Sequence, residues 1–340
     1  EADVIILAMG LVPNSALARD AGLECDRRGY VVVDKHMRSV SNPHVYAVGD
    51  VATVPNAAFG GGKRWAVALA GPANRQGRVA ATAIALGHGG EGEPGQPTGL
   101  AQGYRGTLGA AVVRAFDVVV ASVGVSERFL ERSHAEEGEY VVLCGHHNQH
   151  PGYMPGASKL HTKLIMASGD GRILGFQVAG AEGAAVEKRA DVVATAMLAG
   201  LSAPELADVE LTYCPLVNGP RDPVNMLGMM ASNVLELGLR VITPKRLLQR
   251  FSSAKCTLLD VRSLAEVERT GRLGGLQTLH IPLPELRERL HQVPTAKDLF
   301  VSCQSGQRAY IAACMLKHMG LEPTLVTGSF LSYEMLSRDG

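Results

Sequence analysis

The sequence predicts a multidomain chain that combines α/β with α+β architecture. Three observations carry this. Its 340 residues leave room for two or three domains at about 100–200 residues each. Apolar runs followed by a glycine-bearing turn and a helical pattern occur near both ends, the signature of strand–loop–helix units. Between them, short alternating strands cluster around turn residues and give way to a helix, as in an antiparallel sheet covered on one face.

The elements follow in order. Val4 to Ala8 reads as a buried strand that starts in mid-domain, since the chain begins with Glu1 rather than Met. Val45 to Val48 reads as a second strand, ending in Gly49-Asp50, and Leu69-Ala70-Gly71-Pro72 opens a helix that runs to Leu86. Gly87 to Gly99, rich in glycine with two prolines, cannot bury a core and marks a flexible connection. Strands follow at Ala111 to Phe116, Val118 to Val123 and Tyr140 to Cys144. Leu164 to Ala167 and Ile173 to Val178 form a hairpin about Ser168-Gly169-Asp170-Gly171. In the helix Glu187 to Ala199, the spacing points Ala190, Val193, Ala194, Met197 and Leu198 inward and leaves Lys188 and Arg189 on a solvated face. Near the end, Asp298 to Val301 reads as a buried strand and Ala309 to Met319 as an amphipathic helix, with Tyr310, Ala313, Met315 and Leu316 inward.

Composition narrows the class. Lys plus Arg equals Asp plus Glu at 33 each, so no charge imbalance favours nucleic acid or an acidic membrane. The six cysteines contain no CxxC pair, which suits a reducing cytosol. No apolar stretch reaches the ~18 residues of a membrane span, and the first residues lack the pattern of a signal peptide. A soluble cytoplasmic protein is expected.

The segment Val301-Ser302-Cys303-Gln304-Ser305-Gly306-Gln307-Arg308 carries the most chemistry. A thiol at the mouth of a strand-to-helix loop meets backbone N–H groups and the positive end of the next helix, which together stabilise a thiolate and anionic sulfur species. Arg308 would close the loop with a planar cation. The competing reading is a free cysteine packed as a small hydrophobe. The loop resembles the active-site loop of rhodaneses, and Leu258-Leu259-Asp260-Val261-Arg262 and His280-Ile281-Pro282-Leu283 resemble that domain's flanking segments. The resemblance implies Cys303 as a persulfide-carrying nucleophile, Arg308 beside it, and structural roles for Asp260 and Arg262.

Three segments nearer the start resemble the pyridine nucleotide-disulfide oxidoreductases: Ala8-Met9-Gly10-Leu11-Val12-Pro13-Asn14, Val45-Tyr46-Ala47-Val48-Gly49-Asp50, and Leu69-Ala70-Gly71-Pro72-Ala73-Asn74-Arg75-Gln76-Gly77-Arg78. Gly49 permits close backbone approach and the Asp50 carboxylate suits ribityl hydroxyls. The resemblance implies FAD contacts from Gly10, Gly49, Asp50, Pro72 and Ala73, with NAD(P)H as electron donor. No GxGxxG follows an early strand, and Cys25 does not match the family's redox cysteine, so the flavin domain is expected to be partial and, by itself, not to retain FAD stoichiometrically.

Tyr153, in His150-Pro151-Gly152-Tyr153-Met154-Pro155-Gly156, and Tyr213, in Leu211-Thr212-Tyr213-Cys214-Pro215, narrow the resemblance to coenzyme A-disulfide reductases and their persulfide-reducing relatives. There such tyrosines act catalytically across a homodimer interface, and coenzyme A is substrate or ligand. A phenol can donate a proton to a leaving thiolate. The chain departs from the family in carrying Pro215-Leu216 where relatives often have two prolines and an aromatic residue. His146, His147 and His150 read as a polar loop leading to Tyr153, and no metal is assigned. The expected organisation is a partial FAD-binding Rossmann-like domain (1–95), an α+β dimerisation domain (100–235) and an α/β rhodanese domain (240–340). The functional expectation is an FAD-dependent reductase of CoA disulfide, CoA persulfide or polysulfide coupled to sulfur transfer. The alternatives are a stand-alone sulfurtransferase with a noncatalytic oxidoreductase remnant, or a noncatalytic dimerising scaffold.

Overall fold

Small and β-branched residues at Val31–Val33 and Ala52–Val54 pack into one core because two short parallel strands bring them side by side. The computed structural model describes residues 2–59, 62–86, 103–133, 138–251, 255–295 and 298–337, so the glycine-rich stretch 87–99 lies outside the described residues. The chain divides into two units, 1–111 and 112–340.

In the first unit α1 (Ala16–Asp20) precedes β1 (Val31–Val32), β2 (Ala52–Pro55), β3 (Arg64–Trp65) and α2 (Ala70–Ala85). β1 pairs parallel with β2, which pairs antiparallel with β3. One face of α2 buries Pro72, Gln76, Val79, Ala80 and Ala83, and Val79 and Ala80 join Val31, Val33, Met37, Ala52, Val54 and Tyr104 in the core. Two expected strands are absent here. Val4 to Leu7 run outside regular structure with 76–84% of their surface exposed, since no described strand pairs with them. Val45 to Val48 contribute a single bridge, Arg38 to Tyr46, because Gly49 takes φ +74° and turns the chain into a one-turn 3₁₀ helix, Gly49–Val51.

The second unit contains two five-stranded sheets. The antiparallel sheet is built from β4 (Ala111–Ala115), β5 (Val118–Gly124), β6 (Tyr140–Asn148), β7 (Lys159–Ala167) and β8 (Ile173–Ala181), in the order β4-β5-β8-β7-β6. α3 (Glu127–Arg132) links β5 to β6. α4 (Val186–Ala199) packs on β5 and β8, and α5 (Pro223–Leu235) on β6 and β7. The inner face of α4 is rotated from the expected one: Val186, Arg189, Ala190, Val193 and Ala196 are buried, and Leu198 is exposed.

The parallel sheet comprises β9 (Arg240–Ile242), β10 (Cys256–Asp260), β11 (Thr278–His280), β12 (Asp298–Ser302) and β13 (Thr324–Val326), in the order β11-β10-β12-β13-β9. Helices α6 (Pro244–Arg250), α7 (Leu264–Thr270), α8 (Gln307–His318) and α9 (Ser329–Ser337) complete it. Every residue of β10 is buried, as expected of a strand covered on both faces. Alternation along the strands divides the core, with Leu259 and Val301 facing Ala309, Ala312, Ala313 and Leu316 of α8, and Leu258 and Phe300 facing Leu247 and Phe330. Tyr310 and Met315 pack only partly against the first cluster. Arg262 is fully buried, gripping Asp260 at 2.5–3.0 Å and lying over the Phe330 ring at 4.4 Å. Among the described residues no helix is long and apolar enough to cross a membrane.

Candidate active site

β12 delivers Cys303 to the start of α8. Its N–H donates to Ser329 Oγ at 3.1 Å, and its Sγ accepts the Gly306 N–H at 3.1 Å. Gly306 precedes the first turn of the 12-residue α8 with φ +110°, a conformation that aims its N–H back at the sulfur and that a side chain would disfavour. The thiol faces the positive end of a helix together with a donated N–H, an arrangement that favours negative charge on sulfur. It sits on the floor of the loop rather than at its mouth: Cys303 is 1% exposed.

Arg308 stands on the first turn of α8, but its guanidinium reaches across to α7, donating through Nη1 and Nη2 to Glu266 at 2.7 and 2.6 Å. Arg308 and Ser263 hold the Glu266 carboxyl down at about 2. Ser263 and Glu266 form a capping box at the start of α7. The pattern Ser263-Leu264-Ala265-Glu266 was the sequence signal for this residue.

Ser305, Gly306 and Gln307 border a cavity of about 450 Å³ whose opposite wall comes from β6 and α5, with Met226, Met229, Met230 and His147 among its residues. His147 Nδ1 is buried there without a hydrogen-bond partner, and burial pushes the ring down to about 4. The expected polar loop of histidines is therefore partly strand, because pairing with β7 extends β6 through Asn148. His146 Nδ1 lies 2.8 Å from His161 Nδ1, its Nε2 lies 2.8 Å from Ser332 Oγ, and burial lowers it to about 3. His150 is buried after the strand. No group of three or more His, Cys, Asp or Glu able to hold a metal ion occurs among the described residues.

Tyr153 and Tyr213 lie in separate loops, exposed at 79% and 53%. Each loop is tied by its own amide: Gln149 accepts from Ser158 N–H at 2.5 Å, and Asn218 accepts from Cys214 N–H at 3.0 Å and donates to Thr212 O. Arg189 links both. Instead of lying on a solvated face it is 1% exposed, donating to Asp222 at 2.9 Å, Ala184 O at 2.9 Å, Ala185 O at 3.0 Å and Gln149 O at 3.1 Å. Gln149 leads toward the Tyr153 loop, and Asp222 caps α5 just after the Tyr213 loop. Burying the guanidinium required a partner 33 residues away, which helical spacing cannot reveal.

In the first unit, Gly49 packs against Ala73 on α2, and its N–H donates to Gln76 Oε1 at 2.6 Å. Asp50 is exposed beside the start of α2, Pro72 is buried in its first turn, and Gly10 has φ +83° with open space where a Cβ would stand. Gln76, one turn beyond Pro72, is the positioning residue that sequence reasoning passed over. An open glycine turn, an exposed carboxylate and a helix N-terminus fit a flavin with a polyhydroxyl chain.

Three protein-family models match the chain. Residues 1–81 match the pyridine nucleotide-disulphide oxidoreductase family, residues 110–219 its dimerisation domain, and residues 243–335 the rhodanese-like domain. A coenzyme A disulfide reductase of Staphylococcus aureus (strain JH9) is 33% identical over 237 residues, covering 67% of this chain and 47% of the relative. The chain thus spans about half the length of the curated relatives it matches. The crystal structure of reduced CoADR-RHD from Bacillus anthracis superimposes with a TM-score of 0.84 at 37% identity, over 99% of this chain and 56% of that one. An NAD-dependent persulfide reductase from A. fulgidus superimposes with a TM-score of 0.77 at 31% identity, over 98% of this chain and 56% of that one.

Proposed function

We propose that this chain, which belongs to the pyridine nucleotide-disulphide oxidoreductase family and carries a rhodanese-like domain, serves the reduction of coenzyme A disulfide or persulfide and transfers sulfane sulfur through Cys303. The observation that carries the sulfur-transfer half is the Gly306 N–H donated to Cys303 Sγ at the head of α8. The thiolate attacks the outer sulfur of a donor R–S–SH. A new S–S bond forms on Cys303 while the donor's S–S bond breaks, and R–S⁻ leaves with the electron pair. Cys303 then holds the sulfur as a persulfide, and an acceptor thiolate or cyanide removes it by the reverse exchange.

The residues of the first unit fit FAD, which when bound would supply electron transfer from NAD(P)H to a disulfide or persulfide. Gly10 and Gly49 would admit it to the backbone, Asp50 would accept hydrogen bonds from its ribityl hydroxyls, and Pro72 and Ala73 at the start of α2 would face its ring with the helix's positive end. Tyr153 and Tyr213, exposed on well-braced loops, would serve a partner subunit's site in a homodimer, donating to the leaving thiolate. Neutral net charge and the lack of a membrane-spanning helix among the described residues suit a cytoplasmic protein acting on low-molecular-weight thiols, without nucleic acid. The test is sulfur transfer from a persulfide donor to cyanide. Cys303→Ser should abolish it with the far-UV circular dichroism unchanged, and retention of more than a tenth of the wild-type rate would refute the assignment.

A further inference from the structure

The cavity of about 450 Å³ beside the Cys303 loop has one cation and no carboxylate among its described lining residues. The cation is Arg221, which is exposed and whose side chain makes no hydrogen bond or ion pair among the described residues. Its neighbour Asp222 does not balance it, because that carboxylate is buried against Arg189 at 2.9 Å. Burial keeps the two histidines that line the cavity, His146 and His147, uncharged near neutral pH. Met226, Met229 and Met230 supply an apolar wall, and His147 holds Nδ1 buried with no hydrogen-bond partner. Two hydrogen bonds fix the span. Tyr310 Oη donates to Asn233 Oδ1 at 3.2 Å, joining α8 to α5, and the Cys144 N–H donates to Thr327 Oγ1 at 2.7 Å, joining β6 to the end of β13. Gly306 connects this space to the sulfur, since it lines the cavity and donates its N–H to Cys303 Sγ at 3.1 Å.

We propose that this cavity binds the organic carrier of the sulfur exchanged at Cys303, a thiol with an amide-bearing stem and an anionic group, and that Arg221 recognises the anion. The volume lies within the range of small-molecule sites, about 300–1,000 Å³. An unpaired guanidinium on a wall without carboxylates favours a carboxylate or phosphate, whose oxygens match its planar fork. The three methionines adapt to a flexible methylene stem. A buried ring nitrogen without a partner is costly, and an amide on the stem would satisfy His147 Nδ1. Held this way, the carrier presents its sulfur at Gly306. The Cys303 thiolate attacks the outer sulfur of R–S–SH, a new S–S bond forms on Cys303 as the carrier's S–S bond breaks, and R–S⁻ keeps the electron pair.

This rests on the sulfur-transfer reading of Cys303, and the experiment separates the two. The probes are two pairs of persulfides that differ in one charge: N-acetylcysteine against its amide for a carboxylate, and phosphopantetheine against pantetheine for a phosphate. With cyanide as acceptor, the wild type should show the lower KM for the charged member of at least one pair, which identifies the anion. Arg221→Gln should raise that KM about tenfold or more, the loss of one hydrogen bond to a charged group. It should change the KM of the uncharged member less than about twofold, and Arg221→Lys should restore part of the difference. No preference for charge in the wild type, or an equal change for both members in R221Q, overturns the site. Isothermal titration of the unreactive thiols into the Cys303→Ser protein reads the cavity without sulfur transfer. Binding that weakens in R221Q while no donor loads wild-type Cys303 would overturn the sulfur-transfer reading, and binding indifferent to Arg221 would overturn the cavity.

Discussion

Replacing Arg189 by Met should cost the second unit about 3–5 kcal/mol. The side chain is 1% exposed and so is its partner, Asp222. Arg189→Met removes the ion pair to that carboxylate and strips a donor from each of three carbonyls, Ala184, Ala185 and Gln149. Breaking a buried pair by deleting one partner costs about 3–5 kcal/mol, because the remaining charge stays desolvated. The orphaned carbonyls would each add about 1–3 kcal/mol if nothing relaxed. Water entering the vacated space would recover part of that, so the lower range stands. In urea unfolding followed by far-UV circular dichroism, a slope near 2–3 kcal/mol/M turns this into a midpoint about 1–2.5 M lower. Adding Asp222→Asn should recover a good part of the loss, since it removes the uncompensated charge yet keeps a side-chain acceptor for the Val224 N–H. A midpoint shift below about 0.3 M, or an equal shift from Lys188→Met on the adjacent, half-buried position, would refute the brace assigned to Arg189.

Acid should weaken the fold before carboxylates titrate. Burial holds His146 near 3 and His147 near 4, whereas an unfolded histidine titrates near 6.5. The unfolded chain therefore binds these protons first, so the stability is fully present above about pH 6.5 and is lost as pH falls toward about 4. Each group contributes up to about 1.4 kcal/mol per pH unit in that window. Urea midpoints should drop clearly between pH 7.5 and pH 5, less so in His146→Gln, and a flat profile would contradict the burial argument. In the FAD-loaded enzyme, Tyr213→Phe should slow disulfide reduction at least tenfold and change flavin reduction by NAD(P)H less than twofold, measured as separate half-reactions by stopped flow; equal losses in both would exclude a proton-donating role.

Much of the second unit was legible in the sequence because its signals are local. The hairpin about Ser168–Gly171 and the strand–loop–helix around Cys303 depend on turn residues and short periodicities. What was missed depends on distant partners. β6 continues through His147 because β7 supplies the ladder, although the polar residues read as a loop. Arg189 turns inward because Asp222 and the Gln149 carbonyl await it. Val45–Val48 has the composition of a strand, but the left-handed turn at Gly49 and the hydrogen bond from its N–H to Gln76 redirect the chain. Cys303 was expected at the mouth of its strand-to-helix loop, and it is buried instead, at 1% exposure. Arg308 was expected to close the loop beside the sulfur as a planar cation, and its guanidinium pairs instead with Glu266, 42 positions earlier.

The most direct test of the central claim is peptide mapping by mass spectrometry after brief exposure to a persulfide donor, followed by alkylation. The account predicts an added sulfur atom on the peptide containing Cys303, removed by cyanide, with none on Cys314, which is exposed but stands within α8 away from the loop. Added sulfur on Cys314, Cys214 or another cysteine, with Cys303 alkylated as a plain thiol, would contradict it.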